Sequence, residues 1–304
     1  MLLDREATLA GAVAHLNDAA DNGARLVVFP EAYVPGYPVW IWQLRPGPDY
    51  ELTSNIHRLL LANSVDLDSD ELDVLRDAAR ERGVTVVCGM HERDGKFGRS
   101  TLYNTLVTIG TDGALLNRHR KLMPTNPERM VWGEGDGRGL RVVDTEVGRV
   151  GGLICWENYM PLARVALYAE GVDIHVASTW DSGEIWLSSL RHIAAEGRCW
   201  VLGSGCALRV GDVPADFPNR EELFGTQEDR WLNPGDSVVV RPGGDVLAGP
   251  LHQEQGILYA DIEPGRAAEE RRTLDVVGHY ARNDVFQLAL DRTPREPITD
   301  RRRP

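Results

Sequence analysis

Three positions in this chain combine a reactive residue type with a place where chemistry is usually done. The first is Cys155, in Arg149-Val150-Gly151-Gly152-Leu153-Ile154-Cys155-Trp156-Glu157-Asn158. A glycine-flanked apolar run ends in a thiol and is followed at once by polar residues, then by helix-like spacing. That is the layout of a nucleophile elbow, where a sharp turn projects the side chain and the next backbone N–H, here that of Trp156, faces an oxyanion. A purely structural cysteine would more often sit in mid-strand. The second is Glu31, in Phe29-Pro30-Glu31-Ala32-Tyr33-Val34-Pro35-Gly36-Tyr37-Pro38, directly after an apolar run and within a loop stiffened by three prolines. Ligands in layered α/β proteins gather beyond the carboxyl ends of strands, so Glu31 suits acid–base work; it could equally anchor its loop by accepting backbone N–H bonds. The third is Arg118-His119-Arg120-Lys121-Leu122-Met123-Pro124-Thr125, which by itself reads as a solvated basic face.

The elements that must position these residues follow from periodicity. Leu9, Val13, Leu16 and Ala20 recur three or four apart over Glu6–Asn22, which predicts an amphipathic helix stopped by Gly23. Leu26–Phe29 is an apolar run too short for a helix and right for a strand buried on both faces. The alternation then repeats: helix Asp70–Arg82, strand Val84–Gly89, strands Leu102–Ile109 and Ala114–Asn117 about the Thr111-Asp112-Gly113 turn. Strand Val150–Ile154, helix Leu162–Ala169, strand Ile174–Ala177, helix Glu184–Glu196 and strand Trp200–Gly203 follow. A late strand pair, Ser237–Val240 with Ile257–Asp261, is expected around the Arg241–Asp245 turn. Arg45–Tyr50 and Gly211–Gly235 read as loops. This order predicts an α/β fold, sheets covered by helices in one domain over residues 1–304, with a mobile tail from about Thr293.

Composition narrows the classes. Across 304 residues, 42% are hydrophobic and 26% charged, which is ordinary for a globular chain with a sizeable core. A net charge of −13 argues against nucleic acid and anionic membrane as partners, since both need a basic face. The Arg301-Arg302-Arg303 run reads as a solvated tail. Four cysteines (Cys88, Cys155, Cys199, Cys206) form no C-x-x-C pair, so neither a zinc ribbon nor a redox motif is supported. Cys88, Cys199 and Cys206 read as buried reduced thiols, and a reducing cytoplasm suits them. His119, His175 and His192 lack metal-ligand spacing and read as hydrogen-bonded structural histidines; no metal or cofactor is called for. No run reaches the ~20 apolar residues of a membrane span.

Taken together, FPEAYVPGYP, HRKLMPT and GGLICWEN, in this order and at strand ends, resemble the nitrilase superfamily of carbon–nitrogen hydrolases. Trp156-Glu157 after the cysteine looks like the true nitrilase branch, where amidase and ureidopropionase branches more often carry Tyr-Asp. Residues Pro127–Gly137, Met160–Tyr168, Arg191–Gly197 and His279–Phe286 are similar to that branch too, so the resemblance runs from about Asp4 to about Leu290. It implies an α-β-β-α four-layer sandwich, a small nitrile as substrate with water, and a homodimer or larger assembly through helices near the nucleophile. Family members begin with a strand before the first helix, whereas this chain starts almost at the helix; either its start is set too late or that strand is absent, and its loss would leave backbone groups of a neighbouring strand unpaired.

The resemblance also assigns roles. Glu31 would take the Cys155 proton as general base, and Lys121 would stabilise charge developing on nitrogen as a fixed cation. Glu128 would be a second carboxylate beside Lys121, against the plainer alternative of a surface ion pair with Arg129 or a neighbour. Glu157 would be structural or interfacial. Tyr37, Trp132, Trp156 and Trp180 fall in the motif segments and could wall a pocket for an apolar acyl group, or simply pack the core and subunit contacts. Two rivals remain: an amidase or carbamoylase using the same thiol, and a catalytically silent scaffold subunit.

Overall fold

The computed structural model describes residues 2–298. The first helix, α1 (Arg5–Asp21), opens on Asp4, whose carboxylate accepts the N–H of Ala7, and it buries Leu9, Ala12, Leu16 and Ala19. Strand β1 (Leu26–Val28) follows, then α2 (Tyr50–Asn63), α3 (Asp73–Arg82) and the strands β2 (Thr85–Arg93), β3 (Leu102–Ile109) and β4 (Leu115–Arg120). Beyond them run β5 (Val143–Thr145), β6 (Gly148–Ile154), α4 (Pro161–Ala169), β7 (Ile174–Thr179), α5 (Glu184–Gly197), β8 (Trp200–Gly205) and β9 (Ala207–Arg209). The short α6 (Arg220–Phe224), β10 (Trp231–Val240), β11 (Val246–His252) and α7 (Arg266–Arg271) complete the series. Among the described residues no helix is long and apolar enough to cross a membrane.

The strands make two sheets, one in the order β1-β2-β3-β4, the other in the order β11-β10-β8-β7-β6-β5 with β9 paired to β10. Strand alternation divides their side chains between layers. Val86, Cys88, Val107 and Ile109 face α1 and α3, in one apolar cluster with Leu16 and Leu75. Val87 and Leu106 face the other way and meet Val150, Ile154, Val176 and Val239 of the second sheet. That sheet's outer face carries Leu153, Ala177 and Val201 against Leu167, Trp186 and Leu190 of α4 and α5. The result is the expected α-β-β-α sandwich. Each fully buried leucine or isoleucine contributes about 1.5–3 kcal/mol of transfer free energy to this stacking.

Several expectations need correcting. The partner of β10 is β11, not Ile257–Asp261, because pairing resumes directly across the turn, with Val240 opposite Val246. Residues 257–261 lie outside any strand; Ile257 and Leu258 instead pack on apolar clusters as partly buried side chains. The stretch Gly211–Gly235 is not one loop, since it contains α6 and the first half of β10. Helix α2 was not anticipated, although Ile56 and Leu60 at a four-residue spacing are its buried stripe. In the expected tail, Arg295 donates its backbone N–H to Asp136 and Lys96 pairs with Glu296, while Arg301–Arg303 lie outside the described residues.

Among the described residues strand β1 pairs along one edge, with β2. Thr85 donates to the carbonyl of Arg25, and Phe29 donates to the carbonyl of Val87, so alternate residues Leu26 and Val28 direct their backbone groups the other way. There they border a cavity of about 1070 Å3 that also touches Leu202, Ile257, Leu258 and Ile262.

Candidate active site

Four strands end at one place. Glu31 follows β1, Lys121 follows β4, Cys155 follows β6, and Trp180 follows β7, so each sheet supplies two carboxyl ends. The loop bearing Glu31 is held very close to β2, since a Cβ on Gly89 would come within 2.3 Å of the Pro30 carbonyl and 2.8 Å of the Glu31 Cα. Only glycine permits that approach. Across the site, the turn of Lys121 is fixed by its own N–H to the Asn104 carbonyl (2.7 Å) and by Gly135 donating to its carbonyl (2.8 Å).

Alternation along β4 explains why the basic segment is not a solvated face. His119 and Lys121 point inward and are fully buried, while Arg118 and Arg120 point the other way and both pair with the buried Glu92. The Lys121 ammonium donates to Glu31 Oε1 at 2.8 Å and to Glu128 Oε2 at 2.7 Å. Both carboxylates are buried as well, so Glu128 is no surface partner of Arg129. Their remaining lone pairs are also used. Glu31 accepts Asn104 Nδ2 (2.7 Å) and the backbone N–H of Trp180 (2.7 Å). Glu128 accepts the Tyr37 hydroxyl (2.8 Å) and the N–H of Thr125 (2.7 Å). Buried charges persist only when paired and hydrogen-bonded in this way.

The cysteine sits on a strained turn. Its φ is +52°, a left-handed conformation that costs a residue with a Cβ about 1–2 kcal/mol. Asn158 holds the turn by donating to the Cys155 carbonyl (2.8 Å), and His175 Nε2 contacts Asn158 Oδ1 (2.7 Å). Burial pulls His175 down to about 3, so its ring is neutral and donates through that nitrogen.

Electrostatics set the resting state of the three groups. Burial pushes the Cys155 thiol up, Glu31 and Glu128 add to that, and Lys121 and a hydrogen bond with Thr179 only partly offset it. The resting sulfur is therefore a neutral thiol. Burial also raises Glu31 above the ordinary carboxylate range, against the pull of Lys121. For Lys121 the desolvation cost is outweighed by Glu31 and Glu128, so its ammonium stays charged. A carboxylate lifted towards neutrality is a better-matched proton acceptor than an ordinary one.

Of the aromatic candidates, Tyr37 and Trp180 stack at 4.2 Å between centroids with 5° between planes, alongside the carboxylate cluster. Trp132 is buried, edge-on to Tyr37 at 6.0 Å, and donates its Nε1 to His91 Nδ1. The Trp156 indole is half-exposed and donates to Asp181 at 2.8 Å. Glu157 is fully buried within the chain. Cys88 and Cys199 are buried free thiols as expected; Cys206 is partly exposed and donates to the Glu31 carbonyl. Asn104 was missed as a site residue. A polar amide inside the apolar run Leu102–Ile109 was the available signal, since a buried amide must find a partner.

Comparison with known proteins agrees with this geometry. The family profile described as carbon-nitrogen hydrolase matches residues 1–272. A bifunctional nitrilase/nitrile hydratase of Lupinus angustifolius is 41% identical over 302 residues, covering 97% of this chain and 84% of that protein. The nitrilase blr3397 of Bradyrhizobium diazoefficiens is 40% identical over 289 residues, covering 95% and 88%. Among solved structures, Saccharomyces cerevisiae Nit3, a member of branch 10 of the nitrilase superfamily, superposes with a TM-score of 0.70 at 19% identity, covering 91% of each chain. A carbon-nitrogen hydrolase from Helicobacter pylori gives 0.69 at 20% identity, covering 93% and 92%. With the profile matching most of its length and relatives near 40% identity, this chain belongs to the carbon–nitrogen hydrolase family.

Proposed function

We propose that this chain is a nitrilase that converts an organic nitrile and two waters into a carboxylic acid and ammonia. The observation that carries the reading is the buried Glu31–Lys121–Glu128 cluster beside an elbow cysteine. Relatives near 40% identity that are named nitrilases supply the substrate class.

In this reading Glu31 accepts the Cys155 proton as sulfur attacks the nitrile carbon, and the proton passes to nitrogen to leave a thioimidate. Lys121 and the Trp156 N–H stabilise charge on nitrogen as it develops. Water activated by Glu31 then adds to carbon, ammonia leaves, and a thioester remains. A second water releases the acid and restores the thiol. Glu128 keeps Lys121 in register with Glu31, and its bond to Tyr37 fixes the aromatic wall beside the reacting carbon.

The test is release of ammonia, acid and amide from aliphatic and aryl nitriles and their matched amides, by the parent and by Cys155→Ala. Ammonia and acid from nitriles in the parent alone supports the reading, with the variant down by about 10^4-fold or more. Ammonia from amides only would replace it with an amidase.

We further read residues 1–304 as one catalytic unit working in the reducing cytoplasm, which suits four free thiols. The exposed Leu162 of α4 and Ile185 of α5, with Tyr159 and Met160 just ahead of α4, supply an apolar face for self-association. Light scattering on purified protein should give a dimer or larger species, and Leu162→Glu with Ile185→Glu should reduce its size.

A further inference from the structure

Resting on the thiol mechanism above, we propose that Glu157 is a positioning residue: its carboxylate ties the turn carrying Lys121 to the turn carrying Cys155, and His119 holds it there. Glu157 Oε1 accepts the N–H of Leu122, the residue after Lys121, at 2.7 Å. Its Oε2 accepts the N–H of Ile154, the residue before Cys155, at 2.7 Å. His119 Nε2 lies 3.1 and 3.0 Å from the same two oxygens. Carboxylate and imidazole are both buried, at 1% exposure each. One anion thus joins two segments that belong to different sheets and are 32 residues apart in sequence, as numbered from Leu122 to Ile154.

Chemistry explains why a carboxylate does this work. An amide offers one accepting oxygen, whereas ionised glutamate presents two acceptors to two backbone donors. Burial raises the Glu157 carboxyl, but His119 and the N–H groups of Leu122 and Ile154 outweigh that and hold it below its ordinary value. It therefore stays ionised across the pH range in which the thiol must react. The Ile154 bond also sits one residue before the left-handed Cys155, where the elbow most needs a restraint. A buried cap serving only its own turn would need neither the Leu122 bond nor His119.

The experiment compares the parent with Glu157→Gln, His119→Leu and His119→Gln. It reads kcat and KM on a nitrile, the thermal midpoint, and the pH profile of Cys155 alkylation by iodoacetamide, quantified on the Cys155 peptide. In Glu157→Gln an amide NH2 faces one of the two backbone N–H groups and one turn is released. The expected result is a kcat about a hundredfold lower with KM within about threefold, since a displacement near 1 Å costs that much. The alkylation profile should move up in pH, towards that of an unassisted thiol. His119→Leu should lose about tenfold in kcat, and His119→Gln, which keeps a neutral donor, should recover most of it. Folded Glu157→Gln and His119→Leu with parental kcat and profile would overturn the proposal. If Glu157→Gln does not fold, the two His119 variants decide: equal kcat in both overturns it, loss in leucine with recovery in glutamine supports it. The alkylation readout needs no turnover. A parent without nitrile activity whose profile still shifts in Glu157→Gln would refute the nitrilase reading and support the positioning role. Turnover and profile unmoved by every variant would refute the positioning role and leave the nitrilase reading intact.

Discussion

Two ends of the first sheet treat their polar groups in opposite ways. At the carboxyl ends of its strands, where β6 of the second sheet also ends, the six carboxylate oxygens of Glu31, Glu128 and Glu157 all carry partners, mostly at 2.7–2.8 Å. Along β1, by contrast, Leu26 and Val28 turn backbone groups towards a cavity of about 1070 Å3. Buried charge leaves the chain little tolerance, because an unpartnered buried charge costs several kcal/mol. A strand edge beside a cavity large enough for water can be satisfied by solvent instead, at little cost per group. Stability is therefore spent where the chemistry is, and the site should be rigid while the β1 edge is not.

The sharpest way to break that contrast is to remove the cation. Lys121→Met would leave Glu31 and Glu128 buried and facing each other, so stability should fall by about 3–5 kcal/mol in chemical denaturation. Turnover should fall by at least about a thousandfold, as for loss of a preorganised charge at the reacting centre. Adding Glu128→Gln should recover part of the stability and none of the activity, because it removes one of the two stranded charges.

The next effect is on pH. In the proposed mechanism Glu31 acts as a base only when ionised, and its site holds it above the ordinary value of 4.5. As pH falls through that raised value the base is protonated and the rate drops, so the acid limb of kcat/KM should lie above 4.5. A limb at or below that value would mean the carboxyl is solvated or is not the base. A smaller change follows from Tyr37→Phe, which removes the hydroxyl bonded to Glu128 and keeps the ring stacked on Trp180. It should cost about 1 kcal/mol of stability and severalfold in kcat. Smallest in energy is the contrast itself: native-state hydrogen exchange should be faster at Leu26 and Val28 than at Leu122 and Ile154. Equal protection would show that the β1 edge is closed in solution.

Sequence periodicity made most of the fold legible because the buried runs are strongly patterned. Strand Leu102–Ile109 was expected with the observed boundaries, and Gly83 ends α3 in a left-handed cap as the glycine signal implies. The late hairpin failed because two apolar runs, 246–252 and 257–261, compete for β10, and only the first is adjacent across the turn. Helix α2 was hidden by its polar face. At the site, Glu31 and Cys155 were suggested by their places at strand ends. Lys121 and Glu128 were not, because local composition cannot distinguish a solvated lysine from one buried between two carboxylates 90 and 7 residues away. The Glu157 bridge was invisible for the same reason: its partners lie on another sheet.

In the proposed reaction Cys155 forms the covalent bond to the nitrile carbon. Acid quenching of the enzyme during turnover of a nitrile, followed by mass analysis of the peptide containing Cys155, tests it directly. A thioester or thioimidate adduct is expected on that peptide alone, absent in Cys155→Ala, which also releases no ammonia. Ammonia release that persists in Cys155→Ala, with no adduct on the parent peptide, would contradict it.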